Sequence, residues 1–222
     1  KKERMYYLTR IELDPYKKLT QLALKNANMI HGTIEKVFGN EAERKLWRID
    51  SLRGRRYLMI VSQTLPDFTQ LLMQFAPDGA KSQSKSYDDF LESIEDGSRW
   101  NFKLCGVPLV CRKTEDNPNG KRFPLLKPEE QMEWLIKKGN LHGFTVNPEH
   151  VRITDTGPAK LSKGAGENHY EFKIRKVIFD GILTVTDPEK FRDAMVNGIG
   201  KERAFGCGMI TVVPSKESIT HD

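Results

Sequence analysis

The order of its elements predicts an α+β chain of two tandem ferredoxin-like (RRM-like) βαββαβ domains, residues 5–96 and 99–214. Three observations predict it. The chain has 222 residues, room for two domains of about 100 each. Each half reads as strand, helix, two strands and helix, and the second half closes on a further strand. The residues are 38% hydrophobic and 30% charged, a balance that lets a globular chain bury a core. No residue-level repeat links the halves. Such a fold hosts many functions, so function has to be read from particular residues.

In the first half, Tyr6-Tyr7-Leu8-Thr9-Arg10-Ile11-Glu12-Leu13 alternates as a strand. Asp14 and Pro15 supply an N-cap and a first-turn proline. Leu19, Leu22, Ala23, Ile30, Ile34 and Val37 keep helical spacing up to Phe38-Gly39, so one helix is expected there. Leu46–Asp50 and Tyr57–Ser62 read as strands around a basic turn, Arg53-Gly54-Arg55-Arg56, and Pro66–Phe75 as a second helix. Residues 77–98 lack clear periodicity and are expected to be partly loop.

The second half opens with a strand from Arg99 that is expected to continue to about Arg112. The polar stretch Thr114–Arg122, with Asn-Pro and Asn-Gly signals, reads as a mobile loop. Pro128–Gly139 is a helix with acids first, lysines last and a glycine stop. Strands near 143–155 and 169–186 follow. Asp187-Pro188 then starts a short helix, and Met209-Ile210-Thr211-Val212-Val213 is the closing strand. Trp100 and Trp134 are expected in the core.

Composition excludes some classes. No run approaches the ~20 apolar residues of a membrane span. No basic-then-apolar leader is visible, so the cytoplasm is the expected compartment. Three cysteines without a CxxC, and histidines 142, 150, 169 and 221 at no ligand spacing, predict neither a disulfide framework nor a metal site. The net charge is +6 with a pI of about 9.1, which permits a polyanion partner.

The stretch Gly198–Gly208 holds four glycines with Lys201 and Arg203 in eleven residues, between a helix and a strand. A dinucleotide fingerprint and a P-loop run from strand to helix, so a nucleotide cofactor is disfavoured and none is expected. Gly200, Lys201 and Arg203 suit a cradle for an RNA phosphate; the competing reading is a tight helix-to-strand turn. From Arg152 to Lys176, two strands enclose the glycine-rich segment 157–166, read as a flexible tip. Lys160, Lys163, Lys173, Arg175 and Lys176 would lay cations along an RNA backbone; the competing reading is a solvated hairpin. Alternation puts Tyr170, Phe172 and Ile174 on one face and Glu171, Lys173 and Arg175 on the other. His31 falls about 100° off the apolar stripe of the first helix, beside Asn28 and Glu35. A half-exposed imidazole there suits proton transfer, against the plainer reading of a surface histidine. Lys36 reaches the same side if the helix ends early, where it would stabilise charge on a phosphate.

Taken together, these residues resemble a known family. Gly198-Ile199-Gly200 through Phe205-Gly206-Cys207-Gly208-Met209 is similar to the C-terminal signature of the CasE family, the CRISPR RNA-processing endoribonucleases of type I-E (Cascade) systems. Met5–Arg10, Phe123-Pro124-Leu125 with Glu130-Gln131 and Trp134-Leu135, and Phe179–Val185 match as well. The resemblance implies tandem ferredoxin-like domains and cleavage of repeat RNA at the base of a hairpin, without a metal. The RNA's own 2′-hydroxyl attacks, leaving a 2′,3′-cyclic phosphate and a 5′-hydroxyl. It places His31 on the catalytic histidine and Lys36 on a lysine found near it in some members. Asn28 stands where some members carry a tyrosine. The 160–176 hairpin falls on the RNA-docking element. The implied partners are the repeat hairpin, as pre-crRNA and mature crRNA, and other Cascade subunits. The alternative from a different class is a non-catalytic protein of the same fold that binds the RNA hairpin.

Overall fold

The computed structural model describes residues 5–39, 43–114, 117–163 and 170–215, with the side chains of Thr114, Asn117, Asn119 and Lys163 outside that description. The tip of the basic hairpin with His169, and His221, also lie outside it.

Strand β1 (Tyr7–Leu13) buries Thr9, Ile11 and Leu13 on one face. Asp14 does not cap a helix: its carboxylate accepts from the Tyr16 amide at 2.8 Å and turns the chain. The single expected helix is two, α1 (Lys18–Lys25) and α2 (Ala27–Phe38). Asn26 separates them in an extended conformation, and its side chain accepts from the Asn28 amide at 3.1 Å. One residue thus ends α1 and caps α2. Ala23, Ile30, Ile34 and Phe38 still share one core, which is why their spacing reads as continuous.

Strands β2 (Leu46–Leu52) and β3 (Arg55–Ser62) form a hairpin on Arg53 and Gly54, with φ of 51° and 77°. Two left-handed residues in a two-residue turn match the twist of the strands. Helix α3 (Thr69–Phe75) starts after Pro66 because Asp67 accepts from the Thr69 amide at 2.9 Å. The stretch expected to be partly loop contains β4 (Gln83–Ser86) and α4 (Asp88–Glu92). All four β4 residues are polar and exposed, so no alternation marks them; antiparallel pairing with β1 makes them a strand. The sheet order is β2-β3-β1-β4, the ferredoxin-like arrangement.

Strand β5 (Arg99–Gly106) stops short of Arg112. A Cβ on Gly106 would come within 2.9 Å of the Trp134 ring, so the chain passes close there and then departs. The segment read as a mobile loop is instead a hairpin of β6 (Leu109–Thr114) and β7 (Asn117–Pro124), a separate two-stranded sheet. Helix α5 (Pro128–Leu141) runs through Gly139, the expected stop. Phe144 packs so closely that a Cβ on Gly139 would lie 2.6 Å from its carbonyl, and the turn is made at Gly143, φ 76°. Strands β8 (Phe144–Lys163) and β9 (Tyr170–Val185) form one long hairpin. Residues 157–163, read as flexible, are strand because Ala159 and Leu161 pack opposite Ile174 and Phe172. Helix α6 (Pro188–Asn197) is capped as expected, Asp187 accepting from the Lys190 amide at 3.1 Å. Strand β10 (Ile210–Pro214) completes the order β10-β5-β9-β8.

The two sheets are joined through a shared core. Leu46 and Val61 of the first domain cluster with Trp100, Leu104, Val196 and Met209 of the second. Buried Arg48 of β2 crosses the junction. It donates to the carbonyls of Lys103 at 2.9 Å and Met209 at 2.7 Å, to Thr211 Oγ1 at 2.6 Å, and to Asp50. Lys103 Nζ lies 3.1 Å from the same carboxylate. Burial pushes the Asp50 carboxyl up, but Arg48 and Lys103 together hold it below its ordinary range. Arg192 of α6 likewise donates to the Leu91 and Ile94 carbonyls that end α4. Arg48→Met leaves carbonyls and a carboxylate unpartnered at the junction. It is expected to cost about 3 kcal/mol, lowering the melting temperature by about 2–4 °C for each kcal/mol. An unchanged thermal transition would show that the bridge adds nothing.

Candidate active site

Helix α2 turns Ile30, Thr33, Ile34 and Phe38 inward, so His31 sits at the edge of the buried face with 34% of its side chain exposed. The second domain meets it there. The Phe205 ring packs edge-on to the imidazole, centroids 6.1 Å apart. Asn28, one turn earlier, donates from Nδ2 to Ser162 Oγ of β8. Glu35 follows one turn later, with Oε1 3.8 Å from His31 Nδ1. Burial lowers the His31 pKa below its ordinary 6.5; Glu35 opposes this and Lys45 adds to it. The balance favours the neutral imidazole.

Lys36 does not join this group. Helix α2 continues to Phe38, which sets Lys36 about 140° round the axis from His31, and its side chain is exposed. The lysine beside the site is Lys45, just before β2. Its side chain is only 4% exposed, its Nζ lies 3.5 Å from Glu35 Oε2, and it stands 5.5 Å from the Phe38 ring centroid. Nothing in the sequence marks Lys45, because the turn that brings it back is set by tertiary packing.

The glycine loop acts mainly as a mount. The Ile199 amide donates to the Gly208 carbonyl at 2.8 Å and the Gly208 amide to the Cys105 carbonyl at 2.7 Å. A Cβ on Gly198 would lie 2.8 Å from Leu46, and one on Gly206 2.8 Å from the Trp47 ring. The glycines thus let the loop close on itself and dock on β2, and they set Phe205 against His31. Gly200 lies over the Trp134 ring. Arg203 donates from one nitrogen to the Gly198 carbonyl at 2.9 Å, and its buried Nε has no hydrogen-bond partner among the described residues. Lys201 is exposed. The tight-turn reading accounts for the loop's own contacts, and exposed Lys201 is the cation it presents to solvent.

The hairpin sorts its cations by face. Ala159, Leu161, Phe172 and Ile174 pack around Phe205, Cys105 and Cys207; the cysteines are free thiols with sulfurs 3.8 Å apart. Exposed Lys160 and Lys173 stand directly opposite each other on the other face. Like charges in that register repel, a cost that a phosphate between them would relieve. Arg175 is paired with Asp155. Lys176 donates to the Phe205 carbonyl at 2.6 Å, so it supports the ring that touches His31. Arg122 of β7, missed when its segment was read as loop, joins Lys173, Arg175 and Glu202 around a groove of about 250 Å³. Among the described residues, no three His, Cys, Asp or Glu side chains gather to hold a metal ion. Also among the described residues, no helix is long and apolar enough to cross a membrane.

Lys160→Ala with Lys173→Ala is expected to weaken binding of hairpin RNA and to flatten log K against log salt by about 0.7–0.9 for each phosphate that is no longer held. Stability should not fall, because a repulsive pair is removed. An unchanged salt slope would make this an ordinary solvated hairpin.

Two ferredoxin-like domains meet at His31, beside a cationic hairpin, an arrangement that suits a polyanion partner. A family profile described as CRISPR associated protein matches residues 6–214, and the chain belongs to that family, as a CasE protein of type I-E Cascade systems. It is 28% identical over 220 residues to the CRISPR-associated endoribonuclease Cse3 of Thermus thermophilus, covering 94% of this chain and 100% of that one. It is 34% identical over 93 residues to the CRISPR system Cascade subunit CasE of Escherichia coli, 42% of this chain and 43% of that one. It also superposes with a TM-score of 0.75, at 26% identity, on Thermus thermophilus Cse3 bound to an RNA representing a pre-cleavage complex, covering 95% of this chain and 100% of that one.

Proposed function

We propose that this chain is a CRISPR RNA-processing endoribonuclease that cleaves repeat RNA at the base of a hairpin. The RNA's own 2′-hydroxyl attacks the adjacent phosphate, giving a 2′,3′-cyclic phosphate and a 5′-hydroxyl, and the guide RNA is kept within Cascade. The observation that carries this reading is a partly exposed His31 lying where α2 meets the cationic hairpin through the Asn28–Ser162 hydrogen bond. The names of the relatives support it: one is an endoribonuclease, one a Cascade subunit.

The chemistry asks for in-line placement of the 2′-oxygen, a proton acceptor and donor, and cations for the phosphate. Lys160, Lys173 and Lys201 hold the backbone, and His31 moves the proton. Lys176 acts through Phe205. This route needs no metal. Cleavage of a hairpin RNA is therefore expected to persist in excess EDTA, with products carrying cyclic phosphate and 5′-hydroxyl ends. Loss of cleavage that Mg²⁺ or Mn²⁺ restores would reject the mechanism. Tight binding with no product under any condition would favour a protein that only holds the hairpin.

A further inference from the structure

We propose that Glu35 and Lys45 form a positioning relay for His31, in which Lys45 fixes Glu35 and Glu35 holds the Nδ1 side of the imidazole, leaving Nε2 to take the 2′-hydroxyl proton. The proposal rests on the cleavage reading above and assigns roles to two residues outside it.

The carboxylate of Glu35 bridges the two partners. Oε1 faces His31 Nδ1 at 3.8 Å and Oε2 faces Lys45 Nζ at 3.5 Å. The spacing of four residues on α2 sets the first of these. The second is set by burial: with its side chain 4% exposed, Lys45 holds its charge in a fixed place. Glu35 itself is 49% exposed, so its side chain is free to close the remaining gap of about 1 Å to hydrogen-bond distance as RNA excludes water. Phe205 lies edge-on against the ring and limits its rotation. Among the described residues, Glu35 and Lys45 are the charged groups that bear on the imidazole, and the ring packed against it, Phe205, is uncharged.

The proton movements balance. Nδ1 keeps its hydrogen, shared with Glu35. The 2′-hydroxyl proton passes to Nε2 as the O2′–P bond forms and the P–O5′ bond breaks. The departing 5′-oxygen takes a proton from the imidazolium or from water. The carboxylate stabilises the imidazolium while it lasts, and Lys45 keeps that carboxylate aimed.

The test has two arms. In the RNA-free protein, nitrogen NMR of His31 is expected to show the Nδ1–H tautomer. Glu35→Gln should move its titration to lower pH, because the carboxylate raises the pKa, and Lys45→Met should move it higher. In single-turnover cleavage of a hairpin RNA, Glu35→Gln should slow the reaction about tenfold with little change in RNA affinity. Lys45→Met should slow it similarly even though the imidazole becomes more basic, and Lys45→Arg should restore most of the rate. A Glu35→Gln protein with the parent rate and the parent His31 titration would overturn the relay. Should the parent protein cut no hairpin RNA, the cleavage reading fails, and the tautomer and titration shifts still decide whether the relay exists.

Discussion

His31→Ala is expected to lower the single-turnover cleavage rate by about 10²–10⁴-fold, the range for a positioned general acid or base. Affinity for the hairpin should change little, because the balance favours a neutral imidazole and the cationic clamp lies on β8 and β9. The pH dependence carries a sign. Burial and Lys45 outweigh Glu35 and hold the free His31 pKa below 6.5. A base of this kind loses activity only as pH falls through that lowered value. Folding stability follows the same direction: the contribution of His31 is full above its unfolded pKa and is lost as pH falls toward the folded one. Single-turnover rates across pH, with RNA binding measured in parallel, check both statements. A near-normal rate for His31→Ala would move the chemistry to another site.

A 2′-deoxy nucleotide just before the cut is expected to abolish cleavage while the RNA still binds. In the proposed reaction the lysines hold a phosphate and His31 moves one proton; the nucleophile belongs to the substrate. Removing that hydroxyl removes the attacking atom, and the loss should exceed that of any single side chain. Phosphate contacts dominate affinity, and one missing hydroxyl leaves the charges in place. Gel analysis of the deoxy and ribose hairpins at saturating protein reads cleavage, and a salt-matched titration reads binding. Normal cleavage of the deoxy RNA would require water as nucleophile and a different arrangement of groups.

Much of the architecture is a local property of the sequence. The alternation of β1, the apolar stripe of α2 and the Asp187-Pro188 start of α6 each involve neighbours within a few residues, so the element order and the ferredoxin-like class were legible. The same locality placed His31 off the buried stripe beside Asn28 and Glu35; in the structure Glu35 faces the imidazole, and Asn28 turns its side chain to Ser162. Elements whose identity depends on a distant partner were not legible. Strand β4 is four polar residues that become a strand only by pairing with β1. The hairpin of β6 and β7 carries turn signals that resemble a loop until the strands find each other. Gly139 looks like a stop and instead packs against Phe144. Asn26 splits a pattern that is continuous in the core.

The site divides along the same line. Sequence alone determined the two-domain α+β order, the histidine on a helix edge and a basic hairpin, because helix and strand periodicities report which side chains share a face. Tertiary structure decided what each of them meets. It brought Phe205 to His31, paired Lys45 rather than Lys36 with Glu35, set Lys160 against Lys173, and docked the glycine loop on β2. Those outcomes depend on which surfaces are buried together when the two domains close, and burial between segments far apart in the chain leaves no periodic mark in either one.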